Sequence, residues 1–214
     1  MMYTKHKFAS EHFYNFSYIQ YLPKDYDENK KYPLVFFLHG AGERGDDLDL
    51  LSKHGYMKYH IEDDREYPFI FISPQCPEDK YWGNYVESLF KFLDYICENL
   101  PVDKSRIYLT GISMGGTGTY LMAQAEPARF AAIAPICGSG INWYGGALKD
   151  LPCRIYHGDC DSSVDPHDSL SMANSINRAG GKAELTVFPG VYHNCWDIVY
   201  SGEELIEWFM NIHK

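Results

Sequence analysis

The sequence predicts a single α/β domain in which helices cover both faces of a mostly parallel central sheet. Strand-like apolar runs alternate with helix-like stretches along the chain, which is the pattern of a parallel sheet. Residues 34–38 are apolar without a break, as expected for a strand that is buried on both faces. No repeat, low-complexity tract or linker divides the 214 residues, and this length suffices for one full core. We therefore expect one domain over residues 1–214.

Each predicted element follows from its local pattern. The first strand belongs to an antiparallel part of the sheet, and the later strands are short β-branched or aromatic runs bounded by turn residues. Apolar residues at helical spacing define the helices, and Gly180 and Gly181 should end the third of them. The predicted strands are residues 15–22, 34–38, 69–72, 107–109, 131–136, 154–156 and 184–188. The predicted helices are residues 85–100, 113–125, 166–179 and 203–212.

Composition excludes several classes of partner. The net charge of -10 and the isoelectric point of about 5.3 argue against nucleic acid, whose phosphates require clustered Lys and Arg. No apolar stretch approaches the roughly 20 residues that a membrane span requires. The N-terminus becomes polar at once and has no apolar signal core, so we expect a cytoplasmic protein, or a secreted one if a signal peptide has been removed. The sequence does not indicate an oligomeric state.

The cysteines predict neither a disulfide framework nor a metal centre. The six residues form no Cys-x-x-Cys pair and lack the spacing of zinc ligands, so reduced and mostly buried thiols are expected. They are Cys76, Cys97, Cys137, Cys153, Cys160 and Cys195. We accordingly predict no metal and no cofactor.

Ser113 is the strongest candidate for a functional residue. It lies in the pattern Gly-x-Ser-x-Gly over residues 111–115, between the predicted strand 107–109 and the predicted helix 113–125. In that setting the motif forms a nucleophile elbow, a sharp turn in which the glycines Gly111 and Gly115 avoid collisions with neighbouring backbone. The alternative is an ordinary strand–turn–helix junction with an idle serine.

A serine nucleophile needs a general base, and His193 is the candidate. It follows the last predicted strand, which is where the base belongs when the chain order is serine, acid and histidine. Because His193 must be neutral to accept a proton, activity should fall below about pH 6.

The acid is harder to choose, because several aspartates crowd residues 157–168. They are Asp159, Asp161, Asp165 and Asp168. We favour Asp161, in the middle of the loop, as the residue that orients the imidazole of His193. Asp159 is interpreted as a turn residue that caps its own backbone, and Asp165 before Pro166 as a helix N-cap.

Two backbone amides are expected to stabilise the oxyanion that forms when a serine attacks an ester carbonyl. One is that of Met114, at the start of a helix, and the other is that of Ala41 in the small-residue turn that follows strand 34–38. His39 is interpreted as a structural hydrogen-bonding residue, and Glu43 and Arg44 as a local ion pair that braces the turn.

Together these motifs resemble the α/β-hydrolase superfamily, near dienelactone hydrolases, phospholipase/carboxylesterases and esterases of the prolyl oligopeptidase clan. The resemblance runs from about residue 15 to the C-terminus and rests on five segments. In chain order they are residues 38–45 (LHGAGERG), 73–77 (SPQCP), 111–116 (GISMGG), 157–164 (HGDCDSSV) and 193–196 (HNCW). It implies an α/β-hydrolase fold, the triad Ser113, Asp161 and His193, and the oxyanion amides of Ala41 and Met114.

The site should be open and bordered by aromatic residues. Only residues 138–152 separate two predicted strands at the point where many superfamily members carry a lid, so we predict no large lid domain; residues 48–64 are the alternative place for one. Trp143 and Trp196, and Trp82 by the resemblance, are candidate substrate-binding residues, with core packing as the alternative for each.

These observations favour a serine carboxylesterase that cleaves small, soluble esters through an acyl-enzyme. Acylated carbohydrates or hydroxycinnamoyl esters are the preferred substrates. The alternatives are a peptidase or amidase of the prolyl oligopeptidase clan and a non-catalytic binding protein on a hydrolase scaffold. Substrates with short or compact acyl groups should be favoured, because the short connection cannot build a long acyl tunnel.

Overall fold

A computed structural model describes residues 3–214, and these residues form one eight-stranded sheet with six α-helices. The strand order is β1-β2-β4-β3-β5-β6-β7-β8. The strands are β1 (Thr4–Lys7), β2 (Ser17–Tyr21), β3 (Tyr32–Leu38), β4 (Ile70–Pro74), β5 (Val102–Ile112), β6 (Ala132–Ile136), β7 (Cys153–Gly158) and β8 (Ala183–Phe188). The pairings of β1 with β2 and of β2 with β4 are antiparallel, and the others are parallel.

Helices cover both faces of the sheet, as the sequence predicts. Leu109 and Tyr108 are neighbours on β5, and they point into separate hydrophobic cores on opposite faces. One core is covered by α2, α3 and α4, and the other by α1, α5 and α6. The helices are α1 (Gly55–Asp63), α2 (Val86–Asn99), α3 (Met114–Ala125), α4 (Pro166–Arg178), α5 (Trp196–Ser201) and α6 (Glu204–Met210).

The predicted ends of α4 are confirmed. Asp165 is its N-cap, with the side chain accepting a hydrogen bond from the His167 N–H at 2.9 Å, and Pro166 occupies the first helical position. At the other end Gly180 has a φ of +94°, which is the left-handed conformation that a glycine adopts easily after a helix.

The connections contain no lid domain among the described residues. Between β6 and β7 the chain forms only a short 3-10 helix, Asn142–Leu148, which packs on α4. Residues 48–64, the alternative position for a lid, hold a 3-10 turn and α1, and α1 buries Tyr56 and Met57 in the core. No helix in residues 3–214 has the length and apolar character that a bilayer crossing needs.

Candidate active site

Ser113 lies on a sharp turn between β5 and α3. Its φ of 54° is unusual for a residue with a side chain, and its N–H donates to the Ile136 carbonyl at 2.9 Å, which holds the turn in place. A Cβ atom on Gly115 would lie 1.8 Å from the Leu38 carbonyl oxygen, and one on Gly111 would lie 2.5 Å from the carbonyl oxygen of Gly115. The two glycines are therefore required by close backbone approach, as predicted.

Ser113, His193 and Asp161 form one hydrogen-bonded chain. His193 Nε2 is 2.8 Å from Ser113 Oγ, and His193 Nδ1 is 2.6 Å from Asp161 Oδ2. Since an ionised carboxylate can only accept, Nδ1 carries the proton and Nε2 is free to accept the proton of the serine hydroxyl. The Asp161 side chain is fully buried, whereas the imidazole of His193 is 24% exposed. The arrangement can activate a serine hydroxyl for attack on a carbonyl.

The Asp161 carboxylate is fixed through both oxygens. Oδ1 accepts the backbone N–H groups of Ser163 and Val164 at 2.8 and 3.0 Å, so Oδ2 is turned toward His193. Burial alone raises the pKa of Asp161, but the hydrogen bonds from His193 and from the two N–H groups outweigh it and lower the pKa below the ordinary value. Asp161 is thus anionic at neutral pH.

The other aspartates of this stretch have different partners. The sequence predicts that Asp159 caps its own turn, and this is wrong. Asp159 Oδ1 accepts the Gly190 N–H at 2.6 Å and so connects the loop of Asp161 to the loop of His193. Asp168 lies in the first turn of α4 and accepts a hydrogen bond from the Ser139 hydroxyl. Only Asp161 among the four contacts His193.

His157 is a member of the site that the sequence analysis did not identify. Its ring is fully buried, and Nε2 lies 3.1 Å from both Asp161 Oδ2 and the Val164 carbonyl oxygen. Nε2 faces two acceptors and therefore carries the proton, so Nδ1 accepts from the Ser169 hydroxyl at 2.7 Å. The spacing of four residues between His157, near the end of β7, and Asp161 was the available signal.

The two predicted oxyanion amides each begin a helix, and Met114 directly follows Ser113. Met114 is the first residue of α3, and Ala41 is the first residue of a short 3-10 helix, Ala41–Glu43. N–H groups at such positions have no acceptor within their own helix, so they can donate to an anion. The backbone before Ala41 touches the nucleophile turn, since a Cβ on Gly115 would lie 2.7 Å from the His39 carbonyl oxygen.

His39 holds this turn in place and has a structural role, as predicted. The Cys76 N–H donates to its Nε2 at 2.9 Å, so Nδ1 carries the proton and donates to the Gly40 carbonyl at 2.6 Å. Burial lowers the pKa of His39 to about 4, which keeps the ring neutral.

The predicted ion pair between Glu43 and Arg44 is wrong. Glu43 is buried and points toward His54, with 3.6 Å between Oε1 and Nε2. Arg44 instead donates to the Ala41 carbonyl at 2.9 Å and lies over the ring of Tyr81. Burial raises the pKa of Glu43, against the opposing effect of His54. The two charges are separated because Glu43 is buried and Arg44 is not, and their adjacency in the sequence does not indicate this difference.

The three candidate tryptophans lie in three different environments. Trp82 is 1% exposed and donates its indole N–H to the His39 carbonyl at 3.0 Å, so it packs in the core and does not line a pocket. Trp196 packs edge-on to the imidazole of His193, with 5.2 Å between ring centroids. Trp143 is exposed and lines a groove that contains no residue of the Ser113–His193–Asp161 chain.

Neither ring nitrogen of His193 is free to bind a metal ion. The Cys137 thiol comes within 4.8 Å of the ligand atoms of Asp161 and His193, but both imidazole nitrogens are already hydrogen-bonded, to Asp161 and to Ser113. All six cysteines are free thiols, and only Cys160 is exposed, which agrees with the prediction. The expected absence of metal and cofactor stays a prediction, as does the cytoplasmic location.

The comparisons with known proteins identify the family. The Esterase family model ("Putative esterase") matches residues 15–144, which is more than half of the chain. The chain belongs to this esterase family. The esterase is a hydrolase that acts on esters, and its fold is the predicted α/β-hydrolase fold.

Relatives of the esterase include both sequences and solved structures. A probable feruloyl esterase C of Aspergillus terreus is 29% identical over 204 residues, which cover 86% of this chain and 74% of the relative. A crystal structure of a thermostable esterase has a TM-score of 0.87 at 28% identity, and the match covers 99% of this chain but 63% of that chain. An endo-1,4-beta-xylanase Y of Acetivibrio thermocellus is 27% identical over 78% of this chain, and the match covers 15% of its length.

Proposed function

We propose that the esterase is a serine carboxylesterase with Ser113 as nucleophile, His193 as general base and Asp161 as the orienting acid. The observation that carries the proposal is the continuous hydrogen-bonded chain from Ser113 Oγ through the imidazole to the buried carboxylate. Ser113 Oγ attacks the ester carbonyl carbon while its proton passes to His193 Nε2. The imidazolium then gives that proton to the leaving alcohol oxygen as the ester bond breaks, which leaves an acyl-serine.

Water completes the cycle by the same route in reverse. His193 Nε2 takes a proton from a water molecule, whose oxygen attacks the acyl carbon, and the proton returns to Ser113 Oγ when the acid leaves. The negative charge that develops on the carbonyl oxygen in both steps is met by the N–H groups of Ala41 and Met114. Met114 begins the twelve-residue helix α3, whose aligned backbone dipoles add to the stabilisation.

Hydroxycinnamoyl esters are the proposed substrates. Feruloyl esterases are among the relatives with the longest matched segments, and a match within a xylanase favours an ester carried on a xylan-type polysaccharide. An open site without a lid domain suits an ester that is attached to a bulky sugar chain. The partly buried indole of Trp196, which packs edge-on to His193, places an aromatic side chain next to the general base, where it can contact an aromatic acyl group.

The substrate proposal predicts a clear ranking of model substrates. Methyl ferulate and p-nitrophenyl acetate or butyrate should be hydrolysed at least roughly tenfold faster, by kcat/KM, than p-nitrophenyl palmitate, because no long apolar tunnel can hold the palmitoyl chain. Peptide anilides should be hydrolysed more slowly than methyl ferulate. A jump in rate on emulsified long-chain esters would contradict the open site, and a preference for the anilides would favour the peptidase alternative.

His157 is proposed as a positioning residue for Asp161. Replacement by leucine should lower kcat on methyl ferulate by about tenfold with little change in KM, because one hydrogen bond to a buried carboxylate is lost. With that bond gone, more negative charge is available to His193, so the acid limb of the kcat profile should move to higher pH.

The matched variant His157→Gln tests whether hydrogen bonding, and not shape alone, explains the loss. A glutamine N–H can reach toward Asp161 Oδ2, so this variant should keep most of the activity and the original pH profile. Equal losses in both variants, without a shift of the acid limb, would mean that His157 only fills space in the core.

A further inference from the structure

A groove beside α4 lies apart from the site described above. Its volume is about 430 Å³, and it runs between α4 and the connection from β6 to β7. The lining residues are Asn142, Trp143, Ser171, Asn174, Ser175 and Arg178. One wall is therefore an aromatic ring, and the rest of the groove presents amide, hydroxyl and guanidinium groups. None of these residues has a part in the reaction proposed above.

The exposed ring of Trp143 is the feature of the groove that indicates ligand binding. Trp143 is 86% exposed, which is the highest value for a large hydrophobic side chain in residues 3–214, and its neighbour Tyr144 is 53% exposed. An indole ring left in water gives up the favourable free energy that burial of its apolar surface would supply. A contact with a binding partner would recover that free energy.

The backbone that carries Trp143 is held firmly. Ile141 exchanges two hydrogen bonds with the Gln124 side chain, at 2.7 and 3.2 Å, and the Ser175 hydroxyl donates to the Asn142 carbonyl. The backbone beside Trp143 is thus held by contacts with α3 and α4 on both sides. A held backbone reduces the conformational entropy that is lost when a ligand orders this segment.

The chemistry of the groove matches a sugar ring. A pyranose presents C–H groups on its faces and hydroxyl groups around its edge, so it can stack on an indole while it exchanges hydrogen bonds with polar neighbours. Asn174 and Ser171 can both donate and accept, and Arg178 donates only. With a net charge of -10, the protein does not favour a polyanionic ligand, so a neutral sugar chain fits better.

The groove is connected to the reaction site through Ser139. The Ser139 N–H donates to Thr117 Oγ1 at 3.0 Å, in the first turn of α3, and the Ser139 hydroxyl bonds Asp168 at the start of α4. Trp143 follows four residues later, and Ser171 lies about 5 Å further along α4 than Asp168. Ser139 therefore links the first turn of the nucleophile helix α3 to the first turn of α4, about one turn before the groove begins at Ser171.

We propose that this groove binds the sugar chain that carries the ester, a neutral β-1,4-linked xylo-oligosaccharide, with one pyranose stacked on Trp143. The proposal rests on the proposed function for the identity of the ester. It adds a separate subsite that recognises the alcohol side of the substrate at a distance from the reacting carbonyl.

Binding to the unesterified sugar tests the subsite without any turnover. Xylotetraose titrated into the full chain, followed by tryptophan fluorescence and calorimetry, should bind, and Trp143→Ala should weaken the affinity by about tenfold. Asn174→Ala, on another wall, should weaken it independently. Trp143→Phe keeps a flat ring and should retain part of the affinity, and Tyr144→Ala, whose ring lies outside the groove lining, should bind as the original protein does.

Kinetics on two substrates separates this proposal from the proposed function. The ratio of kcat/KM for feruloylated xylotetraose to kcat/KM for methyl ferulate should fall about tenfold in Trp143→Ala, because methyl ferulate has no sugar to bind. An unchanged ratio, or no binding of xylotetraose, would overturn the subsite while leaving the esterase intact. If the original protein hydrolyses neither ester, the proposed function fails, and the titration still decides whether the groove binds sugar.

Discussion

Ser113→Ala is expected to lower kcat on methyl ferulate by about 10³ to 10⁶ while the protein remains folded. The hydroxyl makes one side-chain contact in the site, the 2.8 Å hydrogen bond to His193 Nε2, and its loss removes the atom that would form the acyl bond. The turn itself is held by the Ser113 N–H and by the glycines around it, none of which the substitution alters. Melting followed by circular dichroism should therefore be close to that of the original protein.

Ser162→Ala is the matched control for this prediction. Ser162 is exposed in the loop that carries Asp161, so the same chemical change is made near the site without touching the hydrogen-bonded chain. It should keep nearly full activity. Labelling by a fluorophosphonate should be lost in Ser113→Ala and retained in Ser162→Ala. If Ser113→Ala kept more than a tenth of the rate, Ser113 would not be the nucleophile. If the original protein showed neither turnover nor labelling, a non-catalytic binding protein would be favoured.

The sheet and the Ser113 turn could be predicted because they depend on local sequence. A strand buried on both faces, such as β3, must be apolar throughout, and the nucleophile turn requires glycine at fixed positions because the backbone passes so close. The chain order of serine, aspartate and histidine places the three residues on loops at one edge of the sheet, because parallel strands bring their carboxyl ends together there, and the three side chains are hydrogen-bonded in the structure.

Elements that depend on tertiary contacts were not predictable in the same way. β1 (Thr4–Lys7) has no apolar alternation and exists through its backbone pairing with β2, which no local pattern encodes. α1 begins at Gly55, whose φ is +69°, and such a start gives no helix signal.

The same holds for side chains whose role is decided by burial. Trp82 is equally suited by its chemistry to a pocket or to a core, and the fold puts it in the core beneath His39. Glu43 and Arg44 are adjacent in sequence, but one is buried against His54 and the other turns to the surface. His157 needed the observation that its ring and that of His193 share one oxygen of Asp161. Each of these outcomes follows from three-dimensional neighbours.

Asp161→Asn is expected to lower kcat by about 10² to 10⁴. The backbone N–H groups of Ser163 and Val164 both donate to Oδ1, so the amide oxygen of the asparagine must take that position. The amide NH₂ then replaces Oδ2 and points at His193 Nδ1. Because it can only donate, it forces the imidazole into the opposite tautomer, with the proton on Nε2 facing Ser113.

Asp159→Asn gives the matched control, since it makes the same change two residues away. Asp159 accepts one hydrogen bond, from the Gly190 N–H, and an amide oxygen can accept it equally well, so the loss in kcat should be less than about tenfold. Steady-state kinetics on methyl ferulate, with melting curves for all three proteins, compares the two variants directly. The reverse ranking, with the larger loss in Asp159→Asn, would assign the orienting carboxylate to Asp159. The predicted ranking follows from the hydrogen bonds that each carboxylate accepts. Asp159 accepts only a backbone N–H, which an amide oxygen can replace, whereas Asp161 also accepts the Nδ1–H of His193, which an amide NH₂ cannot.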